Sequence, residues 1–253
     1  MTFNVRQMDA ADGANSWVCR RDALVETIRE AAPDVIGTQE LFREQAEYIE
    51  SHLDGYAWFG SGRYGDHADK HVGIFYRLDA LRLTESGDFW LSQTPDAPGS
   101  ASWGIEKPRH VTWGAFELEG LSFRLFNTHF PYRREHDLAR RMSAELLLAR
   151  MALIAGAGPA IATGDFNSPA RGEIHGLLTG ALRDAWIDAD RRLGPEGTMH
   201  GFGRIPAPQR IDWILCSAGW RVPLVETIAR QCDGRWPSDH HPVLAILEPK
   251  ELS

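Results

Sequence analysis

Cysteine, lysine and long apolar runs are all scarce in this 253-residue chain, and each scarcity excludes a class of protein. The three cysteines, Cys19, Cys216 and Cys232, are widely separated and odd in number. That is neither a zinc-ligand spacing nor a disulfide framework, and a reducing cytoplasm is the expected location. An exported protein without disulfides also fits. No apolar stretch reaches the roughly 18–20 residues needed to span a bilayer. The opening Met1-Thr2-Phe3-Asn4-Val5-Arg6 lacks the basic-then-apolar order of a signal peptide, although strand-like residues so near the start leave open a few missing upstream residues. Positive charge is short too. A net charge of −8 repels extended nucleic acid unless a basic stripe compensates. Lysine occurs only as Lys70, Lys107 and Lys250, so nearly every cation is arginine. Arginine's planar fork suits phosphate, but genome composition accounts equally for the bias. A Gly-x-x-x-x-Gly-Lys phosphate loop and a Gly-x-Ser-x-Gly nucleophile elbow are both missing.

What remains is an ordinary globular composition, 43% hydrophobic and 25% charged, in a chain that fits one domain over residues 1–253. Short runs rich in β-branched and aromatic residues predict strands at 3–5, 35–37, 56–59, 72–76, 111–118, 123–126, 160–162, 211–215 and 243–247. Apolar residues at helical spacing predict helices over 20–31, 42–53, 134–155 and 173–178. The order implies an α/β fold in which helices cover the outer faces of two packed, mainly antiparallel sheets. Residues 94–102 and 194–209 read as long loops of the same domain.

Polar clusters stand at the ends of these strands. Glu40 closes the second strand and is the best candidate ligand for a hard divalent cation, which prefers oxygen donors; a helix-start glutamate is the competing reading. Asn4 lies in an apolar strand, where its amide needs a partner. Gly164-Asp165-Phe166-Asn167 places a carboxylate and an amide two residues apart, on one side if the chain stays extended, or else in an Asx turn. Such a pair suits orienting a water and binding a phosphate oxygen. His240, in Ser238-Asp239-His240-His241-Pro242, can act as a general base or as a charge against phosphate, with Asp212 as its orienting carboxylate. His241 competes for that role, but strand alternation lets only one of the two reach the site. His129 ends the strand before Phe130-Pro131-Tyr132.

Taken in order, Thr2-Phe3-Asn4-Val5-Arg6, Gln39-Glu40, Asn127-Thr128-His129, Thr163-Gly164-Asp165-Phe166-Asn167, Arg210-Ile211-Asp212-Trp213-Ile214 and Ser238-Asp239-His240-His241-Pro242-Val243 resemble the endonuclease/exonuclease/phosphatase superfamily over essentially the whole chain. Phe89-Trp90-Leu91-Ser92 and Arg109-His110-Val111-Thr112-Trp113 look like its bacterial metal-dependent hydrolase branch. The resemblance implies a four-layer α/β/β/α sandwich. It also implies Mg²⁺ or Mn²⁺ held by Glu40 with Asn4 and Asp239, and a nucleophile positioned by Asp165 and Asn167. A His240–Asp212 catalytic pair, His129 as second histidine and Arg109 as phosphate fork follow by position. Lys70 stands where relatives commonly carry a glutamate, and Phe130-Pro131-Tyr132 replaces their Asp-His; both departures point to changed specificity.

The expected reaction is attack of a metal-assisted water on the phosphorus of a small or lipid-derived phosphate ester. The acidic balance weighs against nucleic acid, but a DNA endonuclease or abasic-site nuclease is the nearest alternative. A noncatalytic binding protein of the same fold is a further one, disfavoured because so many coincident polar groups are costly without a job. Trp90, Trp103, Trp113 and Trp236 serve either as stacking platforms or as core.

Overall fold

Alternation along the strands sorts each side chain to one of two faces, and that sorting builds the layers. The computed structural model describes residues 1–250, so the expected domain end at residue 253 lies outside the described residues. The first half runs β1 (Thr2–Asn4), α1 (Trp17–Ala31), β2 (Val35–Gln39), α2 (Arg43–His52), β3 (Tyr56–Phe59), β4 (Ile74–Arg77), β5 (Arg82–Trp90), β6 (His110–Leu118) and β7 (Leu121–His129). The second half runs α3 (Asp137–Ala155), β8 (Ala160–Asp165), α4 (Glu173–Thr179), β9 (Arg183–Asp184), α5 (Ala185–Asp188), β10 (Arg191–Leu193), β11 (Asp212–Cys216), β12 (Trp220–Thr227) and β13 (Val243–Pro249).

These strands form a seven-stranded sheet, β10-β12-β13-β1-β2-β4-β3, and a six-stranded sheet, β5-β6-β7-β8-β11-β9. Pairing is antiparallel except at β1/β2, β10/β12 and β7/β8. One apolar cluster, including Phe3, Leu24, Ile28, Ile36 and Ile49, joins α1 and α2 to the outer face of the first sheet. Another, including Phe126, Leu147, Met151, Ala162 and Trp213, joins α3 to the outer face of the second. A third, including Ile74, Phe116, Leu125, Ile214 and Val243, fills the space between the sheets. The result is the expected four-layer α/β/β/α sandwich.

Toward one end of the inner layer, apolar packing gives way to amides. Asn127 of β7 donates through Nδ2 to the carbonyls of Thr38 (2.7 Å) and Gly73 (3.1 Å) on the opposite sheet. Its Oδ1 accepts from Gln39 Nε2 (2.7 Å) and Thr163 Oγ1 (3.1 Å). All four partners are buried or backbone, so the buried carboxamide is fully satisfied. Gly37 lets the sheets approach this closely. A Cβ there would stand 2.2 Å from Thr163 Oγ1 and 2.4 Å from Asn127 Oδ1.

Four strands escape sequence reading, the short β9 and β10 and the longer β5 and β12. β5 is the edge of its sheet, and its Thr84-Glu85-Ser86-Gly87 segment reads as a loop because one side faces solvent. β12 carries Pro223, placed where its register with β13 shifts between Arg221 and Leu224. The helices start later or earlier than periodicity predicts by a few residues, as at α3, whose expected first turn is a separate 3-10 turn at Arg134–His136.

Gly37→Ala is expected to destabilise the protein by about 1–3 kcal/mol through overpacking of the inner layer. Gly176→Ala, in a helix with nothing within 4 Å of the added carbon, should be neutral or stabilising by up to about 1 kcal/mol. Urea unfolding of the two variants checks the contrast; equal midpoints would refute the close-approach role of Gly37.

Candidate active site

The strand registers bring the polar residues into one row. Asp165 at the end of β8 is opposite Asp212 at the start of β11, and on its other side is in register with His129 at the end of β7. From the first sheet, Asn4 at the end of β1 reaches across and donates Nδ2 to Asp165 Oδ2 at 3.0 Å. Asp165 Oδ1 accepts the backbone N–H of Asn167 at 3.0 Å. His129 Nε2 and His240 Nε2 lie 3.5 and 4.0 Å from Asp165 Oδ2. His240 Nδ1 faces Asp212 Oδ2 at 2.8 Å. Asp165, Asp212 and His240 thus form one buried group of potential donors within 4.8 Å of one another.

Local structure fixes each of these side chains. The hydroxyl of Thr198 accepts the N–H groups of Ile211 and Asp212. Upstream, Arg210 is locked by Asp184 (2.7 Å), which also binds His175 (2.7 Å). Arg20, buried on α1, donates to the carbonyls of Val5, Arg6 and Pro237, tying the segment after β1 to the one before Asp239. Ser238 Oγ completes that tie through the Asn4 carbonyl at 2.6 Å. Asn167 sits in a left-handed conformation (φ +49°) and donates Nδ2 to the Phe130 carbonyl. Of the two readings, extended chain or Asx turn, the turn is adopted, because the Asp165 carboxylate captures the Asn167 N–H.

Electrostatics set the protonation of the row. Burial, then the nearby Asp212 charge, pushes Asp165 up to about 7, although His240 pulls the other way. Burial alone would neutralise His240, but the charge and hydrogen bond of Asp212, followed by Asp165 and Asp239, raise it to about 10. Burial and the cations Arg109, Arg63 and Lys70 hold His129 well below the ordinary imidazole range, so it is neutral.

Glu40 follows β2 in a left-handed conformation (φ +60°) and accepts the Gln7 N–H through Oε2 at 3.1 Å, with Lys70 Nζ at 4.0 Å from the same oxygen. Burial opposes its ionisation, but Lys70, the Gln7 N–H, His240 and Arg6 outweigh it and hold the carboxyl below the usual range. Asp239 lies 3.4 Å from Arg6, which is itself clamped by both oxygens of Asp12 at 2.9 Å. The donors near Arg6 are therefore carboxylates, joined by the Asn4 carboxamide oxygen, which accepts the Arg6 N–H at 3.0 Å. An all-oxygen set of this kind fits a hard divalent cation. The Asp165–Asp212–His240 group fits one less well, because Asp212 is engaged by the histidine and the imidazole is protonated.

A cavity of about 390 Å³ exposes the two groups to one space. Glu40, Arg109, His129, Asp165, Asn167, Asp239 and His240 line it. Asn4 and Asp212 contact Asp165 and His240, respectively. All nine sequence candidates are thus brought together. His241 turns away and stacks on His200 (centroids 3.8 Å apart), as alternation requires. Sequence reasoning passed over Arg6 and Arg63, which also line the cavity. The available signal for Arg63 was Gly60-Ser61-Gly62-Arg63-Tyr64-Gly65, whose Gly-x-Gly-x-x-Gly spacing follows β3 but opens no helix, so it is a turn and not a dinucleotide fingerprint. Trp113 packs against the α3 core and Trp90 is buried, which settles both as packing residues.

His240 ties protonation to stability in metal-chelated protein. Because its folded-state value (about 10) lies above the ordinary 6.5, its stabilisation is complete below 6.5 and lost as pH rises through 10. The urea midpoints of wild type and His240→Gln should accordingly differ most below pH 6.5 and converge by pH 10. A gap independent of pH would contradict this assignment.

The family model described as Endonuclease/Exonuclease/phosphatase family matches residues 1–240. An endonuclease/exonuclease/phosphatase from Bacteroides vulgatus is 33% identical, with a TM-score of 0.93 over 98% of this chain and 97% of that one. The mannosyl-6-phosphatase of Bacteroides thetaiotaomicron is 32% identical, with a TM-score of 0.90 over 98% of each chain. The catalytic domain of human nocturnin, 18% identical at a TM-score of 0.74 over 98% of this chain and 93% of that one, shares the fold. No curated protein sequence matches the chain. On the family match and these similarities, the chain belongs to the endonuclease/exonuclease/phosphatase family.

Proposed function

We propose that the protein is a metal-dependent phosphoester hydrolase acting on a small phosphate ester, with Mg²⁺ or Mn²⁺ as cofactor. The observation that carries this reading is Asp165 held between His129 and His240 and opening onto the same cavity as Glu40 and Asp239. The 32% identical mannosyl-6-phosphatase supports a compact sugar phosphate over a polymer. The net charge of −8 argues in the same direction, against a nuclease.

Glu40, Asp239 and Asn4 would hold the cation, which when bound supplies Lewis-acid neutralisation of charge on the phosphoryl oxygens. Asp165 accepts the proton of the attacking water. A carboxyl brought to about 7 has the basicity for that task near neutral pH. His240 stays protonated on Asp212 and donates to a phosphate oxygen, which makes it an electrostatic group instead of the base that its residue type also permits. Neutral His129 adds a further hydrogen bond. Asn167 spends one Nδ2 proton on Phe130 and retains the other for phosphate. Arg109 completes the cradle from the cavity wall.

Purified protein should release phosphate from hexose phosphates only with Mg²⁺ or Mn²⁺ added. Asp165→Asn and His240→Ala should each lower kcat by about 10²–10⁴, and Glu40→Ala should weaken Mn²⁺ binding measured by calorimetry. Unchanged turnover in both of the first two variants would sink the mechanism. Plasmid or abasic-DNA cleavage that outpaces every small ester and is lost in Glu40→Ala would transfer the chain to the nucleases.

A further inference from the structure

The part of the cavity wall beside Glu40 gathers three cations, Arg63, Lys70 and Arg109. Arg63 and Arg109 are 5% and 7% exposed, so both are buried charges of the kind that proteins normally pair. Arg63 Nε has no hydrogen-bond partner among the described residues, and Asp69 lies 3.6 Å away. Arg109 has no carboxylate within 4.0 Å among the described residues. Arg63 and Arg109 line the same recess of the cavity, and burial followed by the Arg63 charge lowers the proton affinity of Arg109. Lys70 stands beside them, partly compensated by Glu40 at 4.0 Å.

The backbone holds this cluster in place. Trp90 Nε1 donates to the Arg63 carbonyl, and Arg63 N–H donates to the Lys70 carbonyl at 3.0 Å. The same Trp90 stacks on His110, whose Nε2 meets the Ser61 carbonyl, while Leu91 N–H binds the Arg109 carbonyl at 2.7 Å. The glycine turn before Arg63 and the strand start at Arg109 are therefore fastened to one segment, Trp90-Leu91. Two buried cations in a rigid mount are preorganised for an anion with more than one charge.

We infer that Arg63, together with Arg109 and Lys70, is the receptor for the terminal dianionic phosphate of a monoester, and that this receptor makes the protein a phosphomonoesterase. The inference rests on the proposed hydrolase reading and narrows its substrate class. A phosphomonoester carries about two negative charges near neutral pH and three acceptor oxygens. A diester carries one fewer of each and would press its second ester group against the guanidiniums. Arg63 is a specificity-determining residue; proton transfer from the attacking water to Asp165 does not require it.

The test compares p-nitrophenyl phosphate with methyl p-nitrophenyl phosphate, which share a leaving group, in wild type, Arg63→Gln and Arg63→Lys with Mn²⁺. Wild type should favour the monoester by at least about 10²-fold in kcat/KM, Arg63→Gln should lose about 10²-fold on the monoester while the diester stays within about threefold, and Arg63→Lys should fall between. Equal losses on both esters, or a wild-type preference for the diester, would overturn the inference. Wild-type protein in chelator supplies a second readout that needs no variant: inorganic phosphate should raise Tm and dimethyl phosphate should not. Equal effects of the two anions would also refute the receptor. If no ester is hydrolysed but phosphate still stabilises selectively, the hydrolase reading fails while the receptor stands.

Discussion

The carboxamide of Asn127 is the contact on which the site depends. Its donors and acceptor bind main-chain and side-chain partners on both sheets, so it sets their spacing at the end where apolar packing stops. A fully satisfied buried amide is directional in a way that leucine packing is not. It fixes depth, registry and rotation together. Two residues further along β7, His129 inherits that placement, as does Asp165 beside it. The Asn4–Asp165 bond across the sheets is then possible at an ordinary hydrogen-bond distance. The proposed chemistry rests on a structural asparagine that has no part in it.

Charges of both signs share the cavity. Asp239 faces Arg6 and Glu40 faces Lys70, while Arg63 has Asp69 at 3.6 Å and Arg109 has no carboxylate within 4.0 Å among the described residues. Burying such groups works against stability, and the fold tolerates it because the surrounding backbone is held by many hydrogen bonds. The left-handed backbone at Arg6, Glu40 and Asn167 belongs to the same pattern. Three left-handed residues and the Arg109 charge thus line the cavity where a phosphate would be bound, and binding there could relieve both.

The layer arrangement was legible from local signals, and the grouping of the candidate residues around one cavity from those signals together with the family resemblance. Period-two alternation marks strands, and a polar residue ending an apolar run marks the rim. Asn4, Asp165 and Asp212 could be read in that way. The edge strand β5 could not, since its exposed face erases the alternation. Asn127 was visible as part of a motif, but its role as a link between sheets is a property of two distant strands and has no local signature. Of the two conformations open at Asn167, the Asx turn is adopted because one hydrogen bond outweighs continued extension. Arg63 was hidden for a different reason: a charged residue between glycines looks like any solvated loop until its burial is known.

The position of β1 between β2 and β13 has a consequence for biosynthesis. Thr2 pairs with Val243, and the chemical groups run from Asn4 to His240. A chain emerging from the ribosome can form its early helices and hairpins, yet it carries no assembled reaction centre until the last strand is available. The proposed site therefore cannot be assembled from a chain that stops short of His240.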